Sequence, residues 1–252
     1  MSFIDWLYGN GGIPGDYDYT MIHFVSVGVI FVLTVILAII AGSKKISDRA
    51  KRIILICISV FQLTFEVVWR IVYLCRGDDF WSLWPFYVCN LNGILLPIAA
   101  LTNNKIMKEM FYVFGFVGGI LTFIMPQGIF YNAYFNFPIL KSLLQHTALV
   151  FIPVFEFVSG TFRPSIKNCW LALIGMLIHV VNSLGMSALL GYPGDYLYFN
   201  SGLPFVIPGV PGWVVMSVTA VIVIMLLYVL LDFKTVFLRK KQKVSGGEKF
   251  NP

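Results

Sequence analysis

Seven runs of mainly apolar residues, each 17 to 23 long, constrain this chain more than any other feature. They lie at approximately 22–41, 53–75, 85–101, 110–126, 142–160, 169–190 and 211–232. A helix needs about 20 such residues to cross the hydrocarbon core of a bilayer. Only helices and closed barrels can cross it with every backbone group hydrogen-bonded. Charged residues make up 12% of the 252, where a soluble domain carries about 25%. Mean hydropathy is +0.83, which fits lipid as the solvent. The expected fold is all-α, a polytopic membrane helix bundle of seven transmembrane helices. No linker or change of composition divides it, so residues 1–252 read as a single membrane domain.

The charges orient the spans. Lys44, Lys45, Arg49, Lys51 and Arg52 lie between the first two runs. Lys105 with Lys108, and Arg163 with Lys167, fill the third and fifth connections, and six more basic residues lie between Lys234 and Lys249. The opposite side offers only Arg76 and Lys141. Cytoplasmic loops carry the excess of Lys and Arg, so the N-terminus is expected outside. The C-terminus, with a basic tail over 233–252, is expected in the cytoplasm. This bias accounts for the basic balance of the chain and leaves nothing that asks for nucleic acid. The first twenty residues hold Asp5, Asp16 and Asp18 but no Lys or Arg, unlike the basic start of a cleaved leader. The four cysteines show no CxxC spacing, so neither a structural zinc site nor any other metal or cofactor is expected. A retinal protein needs a lysine in its last span, and 211–232 has none. No internal repeat marks an inverted-repeat transporter.

Ionisable groups within a bilayer are costly and are functional candidates by default. At ~1.5 Å rise per residue, Cys89 and His146 each lie ~6 Å below the outer ends of their spans. Arg70 falls ~7.5 Å down, Asn182 ~12 Å and Glu66 ~13.5 Å. Polar groups of four spans thus gather in the outer half, and the inner half reads as almost entirely apolar. Glu66 and Arg70 are four apart on one helical face. They form either an internal ion pair or a site where Arg70 holds an anionic head group, since guanidinium matches phosphate geometry. Cys89 and His146, at equal depth on different spans, have the composition of a thiol nucleophile and its base. Glu66, Asn90, Asn92, Asn182 and Tyr198 are candidates to orient the base or stabilise an oxyanion. Two rival readings of Cys89 stand beside this one: a small packing residue, or a disulfide to Cys75 on the oxidising outer side. His179 reads as a core histidine bonded to Asn182 or Ser183, and His23 as interfacial. The aromatic, Gly- and Pro-rich outer segments 126–138 and 191–213 suit an interfacial belt or a lid.

Three stretches then carry a family resemblance. "LWPFYVCNLNGILLPIAAL" (83–101), "LLQHTALVFIP" (143–153) and "NSLGMSALLGYPGDYLYFNSGLP" (182–204) resemble the YwaF-like family of integral membrane proteins, which includes the animal transmembrane protein 164. The resemblance runs from the second span to the last outer loop, and the spacing of Cys89 and His146 is its most specific element. It implies a membrane acyltransferase in which Cys89 carries the acyl chain and His146 is the general base. Tyr196 and Tyr198, in the outer-loop motif, join Arg70 as head-group contacts. That motif departs from the family pattern: Asp195 stands in the usual asparagine position and Leu203 in that of a lysine, so the head group bound is expected to differ.

The expected function is therefore an integral phospholipid acyltransferase or transacylase of the cell membrane. A Cys89–His146 pair near the outer leaflet would act on a membrane phospholipid substrate, with no cofactor. A lipid hydrolase using the same pair, a small transporter, a lipid-binding protein and a helper subunit are the alternatives. A transport pathway would need polar residues in the cytoplasmic half. Nothing in the sequence specifies an oligomeric state.

Overall fold

The computed structural model describes residues 2–126, 128–198 and 207–232. Within them the regular structure is helical, with one isolated β-bridge between Pro14 and Asn132. The helices are α1 (Phe3–Tyr8), α2 (Met21–Gly42), α3 (Asp48–Arg76), α4 (Val88–Thr102), α5 (Lys105–Ile124), α6 (Phe137–Ser159), α7 (Cys169–Val180), α8 (Ser187–Leu190) and α9 (Gly212–Leu231). A π-helical turn, Val181–Met186, joins α7 to α8, so Ile166–Leu190 is one continuous rod.

Six of these are long and apolar enough to cross a membrane: α2, α3, α5, α6, the α7–α8 rod and α9. The remaining apolar run forms α4, only 15 residues, or ~22 Å. Before α4 the carbonyls of Pro85 and Phe86 are held from another helix. Asn182 Nδ2 donates to Pro85 O at 2.7 Å and Ser183 Oγ to Phe86 O at 2.5 Å. At the other end of α4, Arg52 donates to Ala100 O and Leu101 O, both at 2.7 Å.

Three helices begin earlier than the apolar runs suggest, each at a side-chain cap. Ser47 Oγ accepts from Ala50 N at 3.2 Å. Asn104 Oδ1 accepts from Ile106 N and Met107 N at 2.9 and 3.2 Å, and Asn136 Oδ1 from Ile139 N at 3.1 Å. The caps pull Lys51, Lys108, Glu109 and Lys141 into helices, where all four are buried.

This corrects the reading of the inner half as apolar. Lys108 Nζ pairs with Glu156 Oε2 at 2.6 Å, and both side chains are 1% exposed. Nearby, Glu109 accepts from Tyr228 Oη at 3.0 Å, Asn168 Nδ2 at 3.0 Å and Ser165 N at 3.2 Å. These bonds fasten the inner end of α9.

The central helix is α6. Of its most apolar 18-residue window 72% is buried, against 6% for α2 and 17% for α9, the two least buried of the long helices. α5 packs closely against α6 at Gly119. A Cβ on Gly119 would stand 2.9 Å from Val150 Cγ2 and 3.0 Å from His146 O. Leu96, Ala99, Leu149 and Ile152 form a fully buried apolar layer. It separates the polar groups of the outer half from the Lys108–Glu156 pair.

Candidate functional site

The half of the bundle where α4 and α6 begin holds a cavity of about 520 Å³. Its polar edge is made by Cys89, Asn90 and Asn92 of α4 with Lys141, Ser142, Gln145 and His146 of α6. Its apolar wall comes from α5 and α9, including Val117, Leu121, Met216 and Val223. Leu197 and Tyr198, which follow α8, also line it. Tyr87 packs edge-on to Tyr196 at 5.0 Å and tilted to Tyr198 at 5.8 Å, while Phe86 stacks on Tyr196 at 4.7 Å. Burial pushes the Tyr198 hydroxyl above the usual phenol range.

His146 is held by its own helix. Nδ1 lies 2.7 Å from Ser142 O, and a carbonyl only accepts, so Nδ1 carries the proton and Nε2 the lone pair. The ring is 5% exposed and Phe123 meets it edge-on at 6.4 Å. Cys89, near the start of α4, directs Sγ toward Asn90 Oδ1 at 3.9 Å. No hydrogen bond joins Cys89 to His146 among the described residues. Catalytic contacts often close only when substrate is bound, and both groups face the same cavity.

Behind Cys89 lies a polar network that the sequence reading missed. Asn90 Oδ1 also accepts from Gln145 Nε2 at 3.0 Å and Lys141 Nζ at 3.3 Å. Lys141 donates as well to Gln145 Oε1, lies 3.5 Å from Glu66 Oε1, and sits 4.4 Å over the Trp69 ring. Glu66 in turn binds Arg70 at 2.7 Å and accepts from Gln62 Nε2 at 3.2 Å. The signal that could have revealed this was Asn136 followed by Pro138, a cap and a proline in the first helical turn. It starts the helix at 137 and carries Lys141 inside.

The site residues expected from sequence thus divide. Cys89, His146, Asn90, Asn92 and Tyr198 line one cavity. Glu66 and Arg70 stand behind it as the ion pair, and Arg70 also donates to Glu66 O at 2.9 Å. Asn182 orients neither His146 nor Cys89. It accepts from Trp84 Nε1 at 2.9 Å and fixes the start of α4. Tyr196 packs on the roof rather than lining the cavity. His179 is bonded not to Asn182 or Ser183 but across to Asn92 Oδ1, at 3.2 Å. His23, expected at the interface, is 3% exposed and bridges Tyr19 N and Phe123 O. All four cysteines are free thiols, so no bridge links Cys75 to Cys89. Phe199, Leu203, Pro204 and the basic segment 233–252 lie outside the described residues.

Comparison with the curated proteins and with the solved structures gives no match. Comparison with protein-family models matches the TMEM164 family over residues 19–230, a stretch that includes all nine of the candidate residues expected from the sequence. This chain, an all-helical membrane protein, belongs to the TMEM164 family.

Proposed function

We propose that the protein is a phospholipid acyltransferase of the cell membrane that works through an acyl-Cys89 intermediate. The observation that carries this reading is that Cys89 and His146 face one cavity whose other walls are apolar. In the proposed orientation α4 completes seven spans, the N-terminus lies outside and the cavity opens toward the outer leaflet. Glycerolipid esters lie at the boundary between head groups and tails, the depth at which Cys89 sits.

A phospholipid places one acyl chain against Val117, Leu121 and Val223 and its ester carbonyl beside Cys89. His146 Nε2 takes the thiol proton. The thiolate forms a C–S bond to the carbonyl carbon, whose π pair moves to oxygen. Collapse of this intermediate breaks the C–O bond, and the lyso-lipid oxygen takes the proton back from Nε2. The acyl chain is then carried as a thioester. Attack by the hydroxyl of a second lyso-lipid, with His146 again as base, completes a transacylation. Both lipids are already anchored in the bilayer, which supplies proximity. Water as acceptor would make the same site a hydrolase.

A polar transport pathway fits less well. The outer and inner polar groups are ten residues apart along α6, ~15 Å, with the Leu96–Leu149–Ile152 layer between them.

Proteoliposomes holding an acyl-labelled phospholipid and an unlabelled lyso-phospholipid test the proposal. Label should pass to the lyso-lipid with wild type and fall to background with Cys89→Ala. Label released as free fatty acid would point to hydrolysis. Transfer that survives Cys89→Ala would contradict the assignment.

A further inference from the structure

The cavity that Cys89 and His146 share has a closed end. Its lining runs along four helices and stops at one level, with Asn92 on α4, Phe114 on α5, Leu149 on α6 and Ile224 on α9. One turn further, Leu96, Phe111, Ile152 and Tyr228 are at most 3% exposed. Contacts between the helices fix that common level. A Cβ on Gly115 would lie 2.8 Å from Leu96 Cδ1, and one on Gly119 3.1 Å from Leu149 Cβ. Val113 and Ile224 belong to one buried cluster. Beyond it Tyr228 Oη donates to Glu109 O at 2.9 Å, which ties α9 to α5.

The space between Cys89 and this end is short and mainly apolar. From Cys89 to Leu96 is seven residues of α4, ~10 Å at ~1.5 Å per residue. Half of a ~30 Å hydrocarbon core is ~15 Å, so a straight tail that fills one leaflet is longer than the space beyond the thiol. Val117 and Val223 line that space, whereas the polar Lys141, Ser142 and Gln145 precede His146 and lie toward the other end. Leu149 and Ile224, each 1% exposed, and the half-buried Phe114 stop it. Gly118 is a gap in the wall. It shares a face of α5 with Phe114, one turn away. It lines the cavity, and a Cβ there would meet nothing within 4 Å. A larger side chain at 118 would occupy room that the cavity now has.

We infer that the closed end sets an upper limit on the length of the acyl chain that Cys89 takes, with Phe114 as end wall and Gly118 as the residue that keeps the passage open. This rests on the acyl-cysteine reading above and adds its substrate class: phospholipids whose transferable chain fits between the thiol and Phe114. The terminal methyl of such a chain rests on the end wall while its carbonyl stands beside Cys89. In a longer chain the last methylenes find no room, and the carbonyl is lifted away from the thiol.

The test compares wild type, Gly118→Leu and Phe114→Leu, each checked for folding by detergent size exclusion. Each is incubated with an equimolar set of phospholipids that carry one ether-linked chain, which cannot be transferred. Their ester-linked chain is lengthened two carbons at a time, in both positional isomers, and the set is repeated with choline, ethanolamine and glycerol head groups. Intact mass reads which chain Cys89 has taken. The ratio of adducts within one tube does not depend on how much of a variant is active. One methylene too many in a closed apolar pocket is worth ~10- to 200-fold, so wild-type adducts should fall by about 10-fold or more at the first homologue past the limit. Gly118→Leu should move that limit to shorter chains and Phe114→Leu to longer ones. If Phe114→Leu does not fold, Gly118→Leu decides. Adducts of all lengths in equal amounts would mean that the tail leaves sideways between α5 and α9. That result, or a limit that the folded variants do not move, would overturn the inference and leave the acyl-cysteine reading standing. A wild type that forms no adduct with any member of the set would remove both.

Discussion

Asn90 Oδ1 receives an ammonium, an amide and a thiol. A carbonyl oxygen has two lone pairs, so the thiol, the weakest donor of the three, is the one held least firmly. In the proposed acyl-cysteine mechanism, this is the thiol whose proton passes to His146 Nε2. Lys141 is the keystone of the arrangement because it touches Gln145, Asn90 and Glu66 at once. Lys141→Met keeps much of the volume but strands Glu66 with Arg70 and Gln62 alone. Hydrogen bonds to charged groups are worth about 1.5–3 kcal/mol. Thermal unfolding in detergent should show a loss of that order, together with slower acylation from a loosened Asn90. An unchanged melting temperature would mean that Lys141 is a bystander. Cys89 and His146 were legible as residue types at matching depth. The Asn92–His179 bond was not, because 87 residues separate partners that only helix packing brings together.

Among the elements, α5 and α6 hold the cavity's shape. Their approach at Gly119 leaves no room for a Cβ near the His146 carbonyl. Overpacking a close contact costs about 1–3 kcal/mol. Gly119→Ala should lower stability by that amount and impair acylation by shifting the turn that carries His146. Gly118→Ala, where a Cβ meets nothing within 4 Å, is the control for stability only, since Gly118 itself lines the cavity. Equal effects of the two would contradict the packing account. The apolar runs located the helices, while their starts were written in caps. Asn104, Asn136 and Ser47 each announce a start several residues before the apolar run, and hydropathy passes over them. The start of α4 at Val88 rather than 85 was illegible locally, since Asn182 and Ser183 hold the carbonyls of Pro85 and Phe86 from another helix.

At the scale of the whole molecule, two polar groups of residues are separated by an apolar layer. The inner one, Lys108–Glu156, reads as structural: both side chains are buried, and the pair ties α5 to α6 below the cavity. Breaking a buried ion pair from one side costs about 3–5 kcal/mol, whereas replacing both partners by apolar groups is often neutral. Lys108→Met should therefore destabilise severely, and Lys108→Met combined with Glu156→Leu should recover most of the loss, with acylation preserved in the double variant. A double variant that is stable but inactive would place the inner pair in the functional machinery and reopen the transport reading. Overall class and membrane character followed from hydropathy alone. The division into a cavity lined by Cys89 and His146 and an opposite end braced by Lys108–Glu156 did not, because Glu109 and Lys108 read as loop residues until Asn104 is recognised as a cap.

The central claim is that Cys89 carries an acyl group, and intact-protein mass spectrometry after incubation with phospholipid tests it most directly. Wild type should gain the mass of one fatty acid less water, mapped to Cys89 and released by hydroxylamine. Cys89→Ser should remain free of thioester, and His146→Ala should acquire the adduct far more slowly. An unmodified wild-type protein across a broad panel of phospholipids, or an adduct that persists at another residue in Cys89→Ser, would contradict the account.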